Sequence, residues 1–395
     1  MKPLLPDDMA EATRLTRSGR LSDAVALIQN VIRGSRAGTS TTAESAASPS
    51  VIALPSPALD AITAVDPAAA ASPQTILSRA LGALDLNIPG LRGLGGGRSA
   101  SPADVIPTEG AFLAKSFSSA AGSRAYKLYV PSRHDRPRPL IVMLHGCTQS
   151  ADDFAAGTRM NFAAEEHGCF VAYPEQPSAA NAQRCWNWFK SSDQQRGSGE
   201  PALIAGITRQ IMADYAIDPR RIYVAGLSAG GAAAAIMGEA YPDLYAAVGV
   251  HSGLACGAAR DLPSAFAAMS GNGPVRAGTR VSTRKVQAAE HDVPTIVFHG
   301  DRDTTVHPRN GAEVIARAGG DVQVLSEPQA TQKGKFTRSV RRDASGRSVL
   351  ELWDIHGAGH AWSGGSSAGS FTDPSGPDAT REMLRFFLDH ARVGA

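Results

Sequence analysis

From about residue 111 onward, short apolar runs alternate with stretches of helical character, and this alternation limits the fold more than any other sequence feature. The runs with strand character lie at 125–130, 139–146, 169–175, 221–228, 246–253, 294–300 and 349–355. Helix candidates fall between or after them, at 151–167, 200–216, 229–241, 309–318 and 378–392. Near-continuous apolar strands separated by helices indicate a mostly parallel sheet covered by helices on both faces. We therefore predict an α/β domain over 111–395.

The first 110 residues have a different composition. Residues 7–34 carry apolar positions at helical spacing, so we predict a small helical segment over 1–34. It either packs as a short hairpin or serves as a targeting or oligomerisation element. Residues 35–110 are rich in Ala, Ser, Pro, Thr and Gly and have few aromatic residues to offset the entropy of ordering. They predict a largely disordered linker, interrupted by a short helix around 75–86.

Composition and charge exclude several classes of protein. The 395-residue chain is 43% apolar and 19% charged, with a formal net charge of +2. It therefore has no basic field that would favour nucleic acid, and it contains no apolar run long enough to span a membrane. Asp7, Asp8 and Glu11 interrupt the place where a secretory leader would be apolar, so we expect a cytoplasmic location, with an extracellular one as the alternative. The four cysteines fit no zinc pattern, and reduced thiols are expected.

The strongest chemical motif is Gly226-Leu227-Ser228-Ala229-Gly230-Gly231. It fits the pattern G-x-S-x-G, follows the predicted strand 221–228 and opens the predicted helix 229–241. A serine on such a strand–turn–helix corner needs small neighbours, because strand and helix approach closely there. The N-terminus of the helix also favours negative charge that develops beside the serine. We predict that Ser228 is a nucleophile.

A nucleophilic serine needs a histidine base and an acid that orients it, and in this setting the chain order is serine, acid, histidine. The strand at 294–300 is followed by two carboxylates. We choose Asp303 as the acid, with Asp301 as the alternative. The last strand leads into a glycine-rich loop, in which His360 can reach over Ser228, whereas His356 lies nearer the strand and is expected to pack. Three further histidines are expected to be structural or exposed: His251, His299 and His307.

Attack on an ester also needs hydrogen-bond donors for the developing oxyanion. The main-chain N–H of Ala229, directly after the serine, is one predicted donor. The loop after the strand at 139–146 is expected to supply the other. Gly146 permits a close approach of the backbone there, and we choose the N–H of Cys147 as the second donor, with His145 as a buried support.

The motifs resemble those of the polyhydroxybutyrate depolymerase family of esterases, which is related to feruloyl and acetylxylan esterases. The similarity covers about 111–392 and does not include 1–110. Its segments occur in the family's order: LIVMLHGCTQSADDFAAGTRMN at 140–161, VAYPEQ at 171–176, CWNWF at 185–189, DPRRIYVAGLSAGGAAA at 218–234, HGDRDTTVHP at 299–308 and GAGHAWSGG at 357–365.

The resemblance implies an α/β-hydrolase fold, a triad of Ser228, Asp303 and His360, and Cys147 as an oxyanion donor. It also implies that Cys147 and Cys185 form the disulfide, if one is present. No metal or organic cofactor is expected. The expected substrate is a short-chain hydroxyalkanoate polyester or its oligomers. The alternatives are an esterase acting on aromatic or acetyl esters of plant polysaccharides, and a non-hydrolytic protein that contacts polyester granules, with 1–34 as a candidate contact.

Three tryptophans lie close to the predicted site in the sequence. Trp186 and Trp188 lie within the segment CWNWF at 185–189, and Trp362 lies two residues after His360. Aromatic walls suit an apolar polyester or an aromatic acyl group, so we expect at least one of these rings to bind substrate rather than serve only as core. The long, glycine-containing segment 257–292 is predicted to be a lid or cap.

Overall fold

The computed structural model describes residues 101–107, 109–273, 293–319, 328–331 and 334–392. These residues fall within one structural unit of the chain, which spans 71–395. The helical segment predicted over 1–34, residues 35–100 and 108 of the linker predicted over 35–110, and most of the predicted lid (274–292) lie outside the described residues.

Strands of the described chain form one large sheet and one small one. The ten strands of the large sheet follow the order β1-β2-β4-β3-β5-β6-β7-β10-β9-β8, and β11 pairs with β12. Their bounds are β1 Ala111–Ser119, β2 Gly122–Val130, β3 Arg138–Leu144, β4 Phe170–Pro174, β5 Ile217–Leu227, β6 Ala247–His251, β7 Thr295–Gly300, β8 Pro328–Thr331, β9 Gly334–Arg342, β10 Ser348–Ile355, β11 Trp362–Ser363 and β12 Thr372–Asp373.

The middle of the large sheet is parallel. Strands β4, β3, β5, β6, β7 and β10 pair in parallel, while β1 and β2 at one edge and β9 and β8 at the other pair antiparallel. Because all six parallel strands run the same way, the loops that follow β3, β5, β7 and β10 meet at one edge of the sheet. Those four loops carry the candidate triad and oxyanion residues.

Helices cover both faces of this sheet. Their bounds are α1 Pro102–Val105, α2 Ala151–Thr158, α3 Met160–His167, α4 Gly199–Asp214, α5 Ala229–Ala240, α6 Leu262–Met269, α7 Arg309–Arg317 and α8 Ala379–Leu388. Leu140, Val142 and Leu144 of β3 join a core cluster with α4, α5 and α7. Ile141 and Met143, which point the opposite way, join a second cluster with α2, α3 and α8. The predicted α/β architecture is confirmed.

The structure also differs from the sequence-based expectations. The helix predicted over 151–167 is two helices, because Arg159 adopts a left-handed conformation (φ 55°) between them. Packing also begins before the boundary predicted at residue 111. Val105 is buried, and its carbonyl accepts a hydrogen bond from Asn161 Nδ2 at 2.7 Å. The end of the predicted linker therefore packs against the domain. Within the described part of the predicted lid, 257–273, the chain forms α6.

Candidate active site

Ser228 occupies the corner between β5 and α5. Its backbone angles, φ 57° and ψ −119°, lie in a region that costs a residue with a side chain conformational energy. Its N–H donates to the His251 carbonyl at 2.8 Å, which fixes the corner against β6. The serine side chain is half-buried. The backbone thus holds one hydroxyl at the edge of the sheet where the loops converge.

The glycines of the motif are required by close backbone approach. A Cβ at Gly230 would lie 2.0 Å from the Leu144 carbonyl oxygen, and one at Gly226 would lie 2.3 Å from the main chain of Gly230. These distances are far below van der Waals contact. The corner of Ser228 can therefore form only if β3, β5 and α5 approach without side chains between them.

Asp303 and His360 form a buried acid–base pair. Asp303 Oδ2 accepts a hydrogen bond from His360 Nδ1 at 2.7 Å. Its Oδ1 accepts from the N–H groups of Thr305 at 2.9 Å and Val306 at 2.8 Å. The His299 Nε2 lies 3.5 Å from Asp303 Oδ2 on the other side. The carboxylate is thus held by groups on both of its oxygens, and its side chain is inaccessible to solvent.

The charge of Asp303 follows from these contacts. Burial alone would raise the pKa of the carboxyl group, but hydrogen bonds from His299 and His360 outweigh it and hold the pKa well below its usual range. An ionised Asp303 requires a proton on Nδ1 of His360. Nε2 is then the nitrogen that can take up a proton.

The other aspartate–histidine pair is at the surface. Asp301 Oδ2 lies 3.1 Å from His356 Nδ1, and Asp301 Oδ1 accepts from the Gly357 N–H at 2.7 Å. Both side chains are exposed. The geometry therefore favours Asp303 over Asp301 as the orienting acid, and His360 over His356 as its partner.

His251 connects the serine corner to the loop of His360. Its carbonyl accepts from the Ser228 N–H, and its Nε2 accepts from the Ser363 N–H at 3.0 Å, three residues beyond His360. Within the described residues, no hydrogen bond joins Ser228 Oγ to His360 Nε2. Catalytic contacts of this kind often tighten only when substrate binds. Burial lowers the pKa of His251 to about 3, so this ring stays neutral.

The loop after β3 presents the second predicted oxyanion donor. In the described part of the chain, neither the Cys147 N–H nor the Ala229 N–H donates to another protein group. Gln149 Oε1 accepts from the Gly146 N–H at 2.9 Å and so fixes the turn. The buried His145 contacts the Gly146 carbonyl through Nδ1 at 2.7 Å. Burial lowers the pKa of His145 to about 4, consistent with the predicted support role of a neutral ring.

A disulfide joins Cys147 to Cys185. This is the pairing that the family resemblance implies, and it corrects the expectation of reduced thiols for these two residues. The bond ties the oxyanion loop to the segment that follows β4. Cys169 and Cys256 carry free thiols.

The tryptophans do not form the expected aromatic wall. Trp186 and Trp362 are both 0% exposed. The Trp186 Nε1 donates to the His145 carbonyl at 3.1 Å, and the Trp362 ring stacks on His251 with the ring centroids 5.1 Å apart. Because neither ring has accessible surface, the structure corrects their predicted role from binding substrate to supporting the loops. Trp188 retains only 6% of its surface.

Within the described ranges, no group of three or more His, Cys, Asp or Glu side chains is arranged to hold a metal ion. No described helix is long and apolar enough to cross a membrane. A broad polar cleft lined by Arg133, Arg138, Glu166 and Arg381, among others, includes none of the candidate catalytic residues, so we assign the chemistry to the loops around Ser228 instead.

The sheet order, the strained serine corner and the buried Asp–His pair define an α/β-hydrolase. The chain belongs to the esterase PHB depolymerase family, whose sequence profile matches residues 124–322. An acetyl xylan esterase from Aspergillus awamori has a similar structure, with a TM-score of 0.57 and 18% sequence identity over 70% of this chain and 99% of that one.

Proteins of similar sequence include both polyester and carbohydrate esterases. Poly(3-hydroxyalkanoate) depolymerase C of Paucimonas lemoignei is 32% identical over 59% of this chain and 57% of its own length. Feruloyl esterase B of Thermothelomyces thermophilus is 30% identical over 59% of this chain and 82% of its own. Acetylxylan esterase A of Talaromyces purpureogenus is 26% identical over 64% of this chain and 70% of its own length. The chain thus spans little more than half of the depolymerase that it matches.

Proposed function

We propose that the protein is a serine esterase that hydrolyses carboxylic esters through an acyl-enzyme. The observation that carries this proposal is the 2.7 Å contact of the buried, ionised Asp303 with Nδ1 of His360, at the sheet edge where Ser228 lies. This contact leaves Nε2 as the base. Membership of the esterase family supports the same reaction class.

In the proposed mechanism, the Ser228 oxygen attacks the ester carbonyl carbon while His360 Nε2 takes the hydroxyl proton. Asp303 stabilises the resulting imidazolium without taking up the proton itself. The N–H groups of Cys147 and Ala229 hold the negative oxygen of the tetrahedral intermediate. His360 then protonates the leaving alcohol. Water, deprotonated by His360, attacks the acyl-enzyme, releasing the acid and regenerating Ser228.

For the substrate, we propose short-chain polyhydroxyalkanoates such as poly(3-hydroxybutyrate) or their oligomers. The family profile and the depolymerase relative at 32% identity support this choice. A second candidate is an ester of a plant polysaccharide, because the chain spans a larger share of the feruloyl and acetylxylan esterases than of the depolymerase. Release of 3-hydroxybutyrate from amorphous polyester, compared with release of ferulate and acetate from soluble esters, distinguishes the two. Ferulate or acetate without 3-hydroxybutyrate would reverse the order.

The reaction class is tested with p-nitrophenyl butyrate. Wild type should hydrolyse it, and Ser228→Ala should reduce the rate to near background. Ser118→Ala, at an exposed position on β1, is the matched control and should keep full activity. Equal rates above background for wild type and Ser228→Ala would refute Ser228 as the nucleophile. Background rates for both would refute the esterase proposal and favour the non-hydrolytic alternative, in which the protein contacts polyester granules, with 1–34 as the candidate contact.

The disulfide bears on the compartment. Disulfides persist in oxidising environments and are rare where glutathione keeps thiols reduced. The Cys147–Cys185 bond therefore favours the extracellular alternative over the cytoplasmic location expected from the sequence. Fractionation of the source cells, followed by thiol labelling of Cys147, tests this choice. Reduced Cys147 in a cytoplasmic fraction would contradict it.

A further inference from the structure

The oxyanion loop is tied to the segment 176–190 by several contacts besides the disulfide. The Thr148 N–H donates to the Gln183 carbonyl at 2.7 Å. The Gln176 N–H donates to His145 Nε2 at 3.1 Å, and Trp186 Nε1 donates to the His145 carbonyl. The position of the loop 145–149 therefore depends on where the segment 176–190 lies.

That segment converges on one buried carboxylate, Glu200, the second residue of α4. Glu200 Oε2 accepts from the Asn187 N–H at 2.7 Å, and Oε1 accepts from Asn187 Nδ2 at 2.6 Å. Oε1 also accepts from Gln176 Nε2 at 2.5 Å, and the same nitrogen lies 3.0 Å from the Cys185 carbonyl. Both ends of the segment that packs on the oxyanion loop are thus bonded to the same side chain.

The surroundings of Glu200 make these bonds costly to lose. The residue is 6% exposed, and the Arg124 Nη2 lies 4.0 Å from Oε1. Burial and the nearby Asp193 raise the pKa of Glu200, while the hydrogen bonds from Asn187 and Gln176 oppose that rise. A buried donor or acceptor that loses its partner bears the full free-energy cost of desolvation, because no hydrogen bond in the protein replaces the one to water.

We propose that Glu200 is a positioning residue for the esterase reaction, which through Gln176 and Asn187 holds the segment 176–190 and so places the Cys147 N–H for the oxyanion. Glu200 does not touch the reacting atoms. The proposal rests on the function proposed above. An error of about 1 Å in the position of a catalytic group costs on the order of 10²-fold in rate, so a residue that acts through two others can affect kcat.

The test uses Glu200→Gln, which keeps the shape but places an amide donor where the network needs acceptors. We expect kcat for p-nitrophenyl butyrate to fall by about 10- to 100-fold, with KM within about twofold of wild type, because transition-state and not ground-state binding is lost. Adding Asn187→Asp exchanges donor and acceptor in the side-chain hydrogen bond between positions 187 and 200, because the new amide at 200 can donate to the new carboxylate at 187. The double variant should therefore recover most of kcat. Glu239→Gln, which breaks an exposed pair with Arg317, is the control and should leave kcat unchanged.

A second readout does not depend on activity. Hydrogen–deuterium exchange of the backbone amides in the segment 176–190 should be faster in Glu200→Gln than in wild type and should slow again in the double variant. If wild type has no esterase activity, the proposed function fails, and the exchange experiment still tests the network.

A folded Glu200→Gln with kcat within about twofold of wild type would overturn the proposal. So would a double variant that folds but recovers neither kcat nor slow exchange. If Glu200→Gln does not fold, Asn187→Ala removes the amide donor to Glu200 Oε1 and is expected to lower kcat in the same way. Unchanged kcat and unchanged exchange in that variant would also overturn the proposal.

Discussion

Removing the disulfide beside the proposed oxyanion hole should weaken both stability and catalysis. The bond closes a segment with a sequence separation of 38 residues. In the chain-entropy description, closing a loop of this size lowers the conformational entropy of the unfolded chain by about 13 cal/mol/K. This raises the free energy of the unfolded state by about 4 kcal/mol at 25 °C. We therefore expect Cys147→Ala with Cys185→Ala to lower the free energy of unfolding by about 4 kcal/mol. The kcat should fall by about tenfold, because the Cys147 backbone stays in place but is held less tightly.

Urea unfolding followed by fluorescence gives the free energy of unfolding, and p-nitrophenyl butyrate gives kcat. The denaturant slope should also rise, because the unfolded chain without the bond is less compact. Cys256→Ala removes a free, half-buried thiol and leaves the bond intact, which makes it the matched control. A loss of less than about 1 kcal/mol in the double variant, with kcat unchanged, would show that the bond constrains neither the unfolded chain nor the loop.

Three further results are expected. Asp303→Asn should lower kcat by about 10⁴-fold, because the amide favours the wrong tautomer of its histidine, while Asp301→Asn at the exposed pair should keep nearly full activity; equal losses would contradict the assignment of the acid. Gly230→Ala should lower the free energy of unfolding by about 3 kcal/mol in urea titrations, because its Cβ would lie 2.0 Å from a carbonyl oxygen, and an unchanged midpoint would refute that clash. His145 and His251 should show no titration by NMR between about pH 8 and about pH 5, because burial lowers their pKa values from 6.5 to about 4 and about 3. As the pH falls, the rings of the unfolded chain take up protons before those of the folded protein do. The stability that these two groups contribute is therefore complete above about pH 6.5 and is lost as the pH falls toward the folded pKa values. Titration of either ring near pH 6.5 would contradict this.

The central parallel strands were predictable because burial on both faces leaves near-continuous apolar runs in the sequence. The edge strand β1 was not, since its side chains are mostly exposed or half-buried and it includes polar residues such as Lys115 and Ser118. The break at Arg159 was also missed, because the left-handed residue is neither glycine nor proline, and the nearby Gly157 lies within α2. A left-handed residue between two helices is decided by packing, which a local pattern does not contain.

At the site, local motifs predicted where Ser228, Asp303 and His360 would lie, because each follows a strand end in a turn of distinctive composition. The burial of Trp186 and Trp362 could not be predicted, since an aromatic residue next to a motif fits core and binding wall equally well. Glu200 was missed because its partners are 13 and 24 residues away, at Asn187 and Gln176. The only local signal was a glutamate in the first turn of a helix, which usually is a solvated charge at the helix N-terminus.

The central claim, that Ser228 is a nucleophile activated by His360, is tested most directly by a fluorophosphonate probe, which reacts with activated serines. Mass spectrometry of the treated protein should show one adduct, and peptide mapping should place it on Ser228. Labelling should be absent in Ser228→Ala and much slower in His360→Ala. An unlabelled wild-type protein, or an adduct on another residue that persists in Ser228→Ala, would contradict the account.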